Sequence, residues 1–467
     1  MKNIMIKRIF IIQLLILILS GCDQNISHHS TGRLKISGNQ RFMMREDGAP
    51  FFWLGDTGWL LFVKLDRDEA EQYLESRRED GFNVIQVMVI HSIKRAVNVY
   101  GDSALINKNV ATPFTTDGDS FADSLQYDFW DHVDYIINKA AEKGLYMALV
   151  PVWGSNVKSG HVNLEQARTY AEWLAARYRD KPNIIWLNGG DIPGSDTLDV
   201  WNAMGYTFWE KDPEHLVTFH PRGRMQSSWW YHEELWLDFN MFQSGHRRYD
   251  QDDTKLAYGE DNWRYAEADY GLIPVKPTLD GEPSYEAIPQ GLHDTLQPYW
   301  TDDDVRRYAY WSVFAGACGF TYGHNSVMQF YQPDEGKGAY GAKIYWYDGI
   351  HDPGAEQMKY LKSLMLSRPY FERIPDQSLI ADQGTRYDYL AATRGKDYAF
   401  IYSYTGREMR LNMGKLSGKK VKSSWFNPRD GSILKIGIFA NEGIRDFDPP
   451  GDRQDGNDWV LILDGMK

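Results

Sequence analysis

"NVIQVMVI" (83–90) carries polar side chains only at Asn83 and Gln86. A strand with one face in water alternates apolar and polar residues, whereas a run apolar on both faces belongs in a sheet covered on both sides. Parallel sheets are covered in that way, because a helix must carry the chain back to start each next strand. The flanking residues fit this reading. Upstream, "DRDEAEQYLESRREDG" (66–81) has helical spacing and follows a second apolar run, "FFWLGD" (51–56). Downstream, "FWDHVDYIINKAAEKG" (129–144) leads into "YMALVPVW" (146–153), and "NLEQARTYAEWLAARYRD" (163–180) into "NIIWLNGGD" (183–191). "DVWNAMGYTFWEKD" (199–212) then precedes "LVTFHP" (216–221). "LDFNMFQSGH" (237–246), "VKPTLDGE" (275–282) and, after the helix "TDDDVRRYAYWSVFAGA" (301–317), "GFTYGHNS" (319–326) complete the series. Eight strands alternating with helices predict an α/β fold, a closed (β/α)8 TIM barrel rather than an open sheet.

Near Pro369 the pattern changes. Short alternating runs with turn signals follow, among them "KKVKSSWFNPRDGSILKIG" (419–437) and "DWVLIL" (458–463), which predict a smaller C-terminal all-β sandwich. At the other end, Lys2, Lys7 and Arg8 precede an apolar run from Ile9 to Leu19. That run is about half the roughly 20 residues a membrane-spanning helix needs, so it reads as the core of a signal peptide. It ends in "LSGC" (19–22), which resembles the lipobox of bacterial lipoproteins and implies cleavage before Cys22 and lipid modification of that cysteine. The expected layout is a leader over 1–21, a flexible tether over 22–34, the barrel over 35–370 and the sandwich over 371–467. The protein is expected to be exported and held at the bacterial outer membrane through this anchor, on its periplasmic or cell-surface side. Cys318 is then the one thiol left, without a disulfide partner, and its small apolar neighbours predict a buried, inert residue.

The formal charge of −13 argues against nucleic acid as a partner, since no basic stripe offsets it. "GKGAYG" (336–341) matches G-x-G-x-x-G, but it follows an aromatic loop and opens no helix, so it does not read as a dinucleotide site. No H-E-x-x-H, C-x-x-C or G-x-S-x-G occurs, and neither metal nor cofactor is expected. The 17 Trp and 29 Tyr supply flat faces suited to sugar rings, although large cores also consume them.

Barrels keep their chemistry at the C-terminal ends of their strands. In order, those ends offer Asp56, His91, Trp153, Asp191, His220, Gln243 with His246, Glu282 and His324. The long segments at roughly 91–128, 222–236, 246–274 and 325–350 follow strands and are expected to shape the mouth. Asp191 and Glu282 are a carboxyl pair suited to glycosidic cleavage, in which one acid protonates the leaving oxygen and the other meets the oxocarbenium-like centre. Asp56, His91, Asn188, His220, Gln243, His246 and His324 are candidates for sugar-hydroxyl contacts, and Trp153 for a stacking platform. Within "LDGEPSYE" (279–286), Asp280 and Glu282 are expected to share a face at strand spacing.

"FFWLGDTGW" (51–59), "NGGD" (188–191) and "LDGEPSYE" together resemble the apiosidase-like family of glycoside hydrolases, and "WFNPRDG" (425–431) is similar to part of the collagen-binding domain that follows the barrel in its members. The resemblance covers nearly the whole chain beyond the leader. It implies hydrolysis of a pectic oligosaccharide or polysaccharide, notably the apiose–galacturonate linkage of rhamnogalacturonan II side chains. It also implies Asp191 as acid/base and Glu282 as nucleophile of a retaining mechanism, for which a carboxyl separation of about 5–5.5 Å is expected; about 6.5–9.5 Å would instead mark inversion. Most relatives in the wider clan of retaining barrel glycosidases place Asn-Glu where this chain has Gly190-Asp191, so a shorter acid must start from a different backbone position. A galacturonate-bearing substrate also calls for a cation at the rim, for which Arg222, Arg224, Arg247 and Arg248 are candidates. Another pectin- or arabinose-directed glycosidase, and a lipid-anchored glycan-binding protein without catalysis, are the alternative readings.

Overall fold

The computed structural model describes residues 31–252 and 258–466. The expected leader, the lipidation site Cys22 and the tether as far as residue 30 lie outside the described residues. Residues 31–34, assigned to the tether from sequence, are docked on the barrel instead. Thr31 and Leu34 are each 5% exposed, and Arg33 Nη2 donates to the Arg179 carbonyl at 2.7 Å.

Eight parallel strands form the barrel: β1 (Trp53–Thr57), β2 (Val84–Ile90), β3 (Tyr146–Val152), β4 (Ile184–Ile192), β5 (Val217–Pro221), β6 (Asn240–Gln243), β7 (Thr278–Asp280) and β8 (Gly319–Tyr322). Their order is β5-β4-β3-β2-β1-β8-β7-β6. The ring closes between β5 and β6, where Asp238 N–H donates to the Val217 carbonyl at 2.9 Å and Thr218 Oγ1 to the Phe239 carbonyl at 2.6 Å. A two-residue strand, Met225–Gln226, adds antiparallel to β6 and was not anticipated.

Seven described helices of eight or more residues accompany the strands: α1 (Arg67–Glu79), α2 (Phe129–Glu142), α3 (Leu164–Tyr178), α4 (Leu198–Lys211), α5 (Trp263–Tyr270), α6 (Asp302–Phe314) and α7 (Pro353–Leu366). Asp66, Asp128, Asn163 and Thr301 close capping boxes at the starts of α1, α2, α3 and α6, satisfying amide groups that a helix leaves free.

The unbroken apolar strands divide by parity. Val84, Met88, Tyr146, Ala148, Val150, Ile185 and Leu187 join Phe239, Met241, Leu279 and Phe320 in one core cluster, the barrel interior. The intervening Ile85, Val87, Val89, Met147, Leu149, Ile184 and Trp186 pack with helical residues such as Tyr73, Val133 and Leu174. Both faces are therefore buried, which is why no alternation is visible in the sequence.

The C-terminal region holds two antiparallel sheets. One is built from β9 (Ile374–Pro375), β10 (Leu390–Arg394), β11 (Tyr398–Ser403), β13 (Lys420–Phe426), β14 (Ile433–Ala440) and β16 (Trp459–Met466), in the order β9-β10-β11-β16-β13-β14. The other pairs β12 (Met409–Asn412) with β15 (Ile444–Phe447). Strand β11 alternates between two cores. Ala399 and Ile401 meet Leu411, Val421 and Phe447 between the sheets, while Tyr398, Phe400 and Tyr402 face the barrel. The ring of Tyr402 stacks on Tyr310 of α6 at 4.7 Å, and that of Tyr389 on Trp263 of α5 at 4.1 Å. Arg306 of α6 closes this interface by reaching Asp458 at 3.0 and 3.1 Å, with both side chains buried. Cys318 is fully buried, and burial pushes its thiol up to about 12.

Candidate active site

A cavity of about 310 Å³ opens at the C-terminal ends of the barrel strands. Glu282 lies in its wall, two residues past β7, and is 7% exposed. Burial by itself would raise its pKa, because the charged form loses water. Two imidazoles reverse that effect. His246 Nε2 hydrogen-bonds Oε1 at 3.2 Å, and His220 Nε2 stands 3.2 Å from Oε2, so Glu282 is held well below the usual carboxylate range. His220 also has its tautomer fixed: Nδ1 accepts the backbone N–H of Asp191 at 3.4 Å, which leaves the proton on Nε2, facing Glu282.

Asp191 has the opposite electrostatics. Asp191 lines the cavity and is exposed at its mouth; desolvation by the protein around its carboxyl, followed by the charge of Glu282, raises its pKa to about 6. The backbone explains how a short acid reaches the site. In the β4–β5 ladder Gly189 pairs with His220 and Ile192 with Pro221, so Gly190 and Asp191 form a bulge opposite no partner. The bulge needs left-handed backbone at Gly189 (φ 90°), Gly190 (φ 104°) and Asp191 (φ 48°). Any Cβ on Gly190 would sit 2.6 Å from the Trp153 ring. The two glycines of "NGGD" thus set the acid forward by backbone geometry, in place of the methylene that a glutamate would have supplied.

Aromatic and polar groups complete the wall. The Trp59 ring lies 5.2 Å from that of Trp153 and meets His220 edge-on at 5.3 Å, and its Nε1 donates to Tyr285 Oη at 3.2 Å. Gln243 is 3% exposed and lines the cavity, and its Oε1 has no hydrogen-bond partner among the described residues. His246 Nδ1 is likewise without one. The backbone carbonyl of His246 is fixed by Gly291 N–H at 2.6 Å and Trp300 Nε1 at 3.3 Å. An acid that keeps its proton to a higher pH therefore shares a cavity wall with one held ionised, beside stacking surfaces, the arrangement glycoside cleavage requires.

Residues 37–372 match the family model described as "Apiosidase-like, catalytic domain". The chain belongs to the apiosidase-like family. Residues 374–464 of this apiosidase-like chain match a second model, named for a collagen-binding domain of a collagenase. Among solved structures it is similar to a glycoside hydrolase at 50% identity, with 94% of this chain and 98% of the other covered and a TM-score of 0.87. It is also similar to a family 5 glycoside hydrolase from Bacteroides vulgatus ATCC 8482, at 46% identity, 93% coverage of each chain and a TM-score of 0.86. The protein is thus a glycoside hydrolase with an apiosidase-like catalytic domain. No curated protein matches it.

The strand-end expectations divide cleanly in this apiosidase-like barrel. His91, Trp153, Asp191, Gln243, His246 and Glu282 line the cavity, and His220 stands directly behind Glu282. Asp56, Asn188 and His324 do not. Asp56 is fully buried against α1, accepting from Tyr73 Oη at 2.7 Å with Arg77 Nη1 at 3.6 Å. Asn188 Nδ2 donates to the Trp201 carbonyl in α4 at 2.7 Å, sharing the outward parity of Ile184 and Trp186. His324 caps the short helix Asn325–Met328 and pairs with Asp352 at 2.8 Å. All three tie strands to the outer layer, where a substrate does not reach. Asp280 and Glu282 do not share a face either. β7 ends at Asp280, whose carboxyl is held by Ser244 (2.9 Å) and Asn262 (3.0 Å) away from the cavity, while Gln86 Nε2 binds the Gly281 carbonyl at 2.8 Å.

Sequence reading missed Trp59, Tyr285, Gln329 and Tyr340, all on the cavity wall. Trp59 and Tyr285 stand inside the stretches that carried the family resemblance. The segment 283–300, which supplies Tyr285, Ile288 and Leu292, was not among the loops expected to shape the mouth. Of the rim arginines, Arg248 is committed to Asp250, Gln290 and Gln297, and Arg247 donates to the Gln251 carbonyl at 3.3 Å. Arg222 is exposed, and its backbone N–H binds the Ile192 carbonyl at 3.1 Å, one residue from Asp191. Among the described residues no cluster of three or more His, Cys, Asp or Glu could hold a metal ion.

Proposed function

We propose that the chain hydrolyses the apiose–galacturonate linkage of rhamnogalacturonan II side chains, with Asp191 as acid/base and Glu282 as nucleophile. The opposed electrostatics of the pair, Asp191 raised to about 6 and Glu282 held ionised by His220 and His246, support the division of roles, and the match of residues 37–372 to an apiosidase-like catalytic domain supports the sugar. In the first step Asp191 gives its proton to the leaving oxygen as Glu282 bonds to the anomeric carbon. In the second, Asp191 takes a proton from water, whose oxygen displaces Glu282. Trp153 and Trp59 offer the sugar apolar faces, and Gln243 and His246 line the same wall. Arg222, exposed and near enough to Asp191 for its charge to act on that acid, is the candidate cation for the uronate carboxylate of the leaving group.

Incubation with rhamnogalacturonan II oligosaccharides tests the reading. Release of side-chain fragments ending in apiose, abolished in Asp191→Ala and Glu282→Ala, is the expected result. Cleavage of an arabinofuranoside or another pectic linkage instead would replace the substrate and keep the mechanism. Binding without cleavage of any glycan would mark a lectin-like barrel.

Export and lipid anchoring at Cys22 belong to the same proposal, supported by the basic, apolar and "LSGC" segments of the leader. Palmitate labelling of the wild-type chain that disappears in Cys22→Ser is the expected result; labelling retained by the variant would refute it.

A further inference from the structure

The "GKGAYG" stretch, no dinucleotide site, has another purpose in the fold. It lies between β8 and α7 and brings Ala339 and Tyr340 to the cavity wall. Tyr340 adopts φ 51°, ψ 31°, a left-handed conformation that is costly for a bulky side chain and persists only when its surroundings enforce it. They do so here through two side-chain amides. Gln329 grips Ala339 at both ends, its Oε1 accepting from N–H at 2.7 Å and its Nε2 donating to the carbonyl at 3.0 Å. Asn325 Nδ2 donates to the Tyr340 carbonyl at 3.0 Å and, fully buried, also binds the Ala287 carbonyl at 3.1 Å. Tyr299 Oη holds the next carbonyl, that of Gly341, at 3.1 Å. Gly341 has φ 64°, and a Cβ there would stand 2.6 Å from Thr295.

What this scaffold presents is a phenol. Tyr340 keeps 37% of its surface exposed, and its Oη has no hydrogen-bond partner among the described residues. Burial, then the charges of Asp191 and Glu282, raise its pKa, so the hydroxyl is a neutral donor on the same cavity wall as both carboxyls.

We propose that Tyr340 contacts substrate, its O–H donating to a hydroxyl of the sugar held between Asp191 and Glu282, and that Gln329 and Asn325 are positioning residues that hold its backbone in place. The proposal rests on the carboxyl pair as the site of cleavage but not on which sugar is cleaved.

The test compares kcat, KM and Tm for Tyr340→Phe, Tyr340→Gly, Gln329→Leu and the Gln329→Leu/Tyr340→Gly double variant. The substrate is whichever glycan the wild-type chain cleaves in a plant cell-wall panel that includes rhamnogalacturonan II. Failure on rhamnogalacturonan II with cleavage of another glycan would overturn the substrate proposed above and leave this comparison intact. Tyr340→Phe is expected to lower kcat/KM about tenfold, the loss of one hydrogen bond. Tyr340→Gly, which relieves the backbone, should keep the wild-type Tm and lose about a hundredfold in kcat/KM. Gln329→Leu should lose activity without adding to the loss in Tyr340→Gly, since both act through one side chain. Wild-type kcat/KM within twofold in Tyr340→Phe, or losses that add fully in the double variant, would overturn the proposal.

Discussion

His220 Nε2 lies 3.2 Å from Oε2 of Glu282. Because the other ring nitrogen is occupied by the Asp191 backbone, one imidazole ties the position of the acid/base to the charge state of the nucleophile. Replacing His220 by Ala removes a group that lowers the Glu282 pKa, so the acidic limb of kcat/KM should move to higher pH. The loss relative to wild type, about 10- to 1000-fold, should then be larger at pH 4 than at pH 6. A loss equal at both pH values would show that His220 acts on geometry alone.

The basic limb should belong to Asp191. Catalysis needs its proton, so kcat/KM should fall about tenfold per unit above a pH of about 6. Burial, then the charge of Glu282, raises this pKa, so Glu282→Gln should lower it, readable by carbon NMR of the Asp191 carboxyl. An unchanged value would leave burial as the sole cause.

The same shift sets a stability prediction. A carboxyl whose folded pKa lies above its unfolded value destabilises the fold as pH rises between the two, and the cost is complete above the folded value. Asp191→Asn removes that cost, and Asn accepts left-handed backbone more readily than most residues. Its Tm should exceed the wild-type value by roughly one to a few degrees at pH 7.5, with the pH-dependent part of the gain gone below the unfolded pKa of 3.8. A Tm below wild type at pH 7.5 would contradict this account.

Gly190→Ala should damage the site from the backbone side. The added Cβ meets the Trp153 ring at 2.6 Å and strains a residue with φ 104°, at a cost of about 1–3 kcal/mol. Turnover should fall by at least tenfold, because Asp191 and Trp153 shift together. Wild-type turnover would show that the bulge does not set the reach of the acid.

At the domain interface, Arg306→Met alone should cost about 3–5 kcal/mol by leaving Asp458 buried without its main partner. The Arg306→Met/Asp458→Leu double variant should recover much of the lost Tm. Two resolved unfolding transitions in the wild-type chain would argue against a shared core.

The barrel was legible because each strand is apolar on both faces, a signature that survives without knowledge of neighbours. Glu282, Asp191, His220, Gln243 and His246 were legible because barrel chemistry collects where strands end. Asp56, Asn188 and His324 share that address, yet they point to the outer layer. With Ile184, Ile185, Trp186 and Leu187 all buried, nothing in the residue types says which parity faces the axis. Tyr340 was hidden for a different reason. Its place on the wall follows from amides at 325 and 329 gripping a loop some ten residues onward, a contact that leaves no periodic trace in the sequence.

The two faces of β11 have a further consequence. Because Tyr398, Phe400 and Tyr402 finish the barrel's outer layer while Ala399 and Ile401 finish the sandwich, neither half has a surface of its own at the join. The two family models meet end to end near residue 373, but an expression clone ending there would leave Tyr310, Trp311 and Phe314 facing water. Recombination at this boundary is therefore expected to succeed only when the incoming sandwich brings matching aromatic residues.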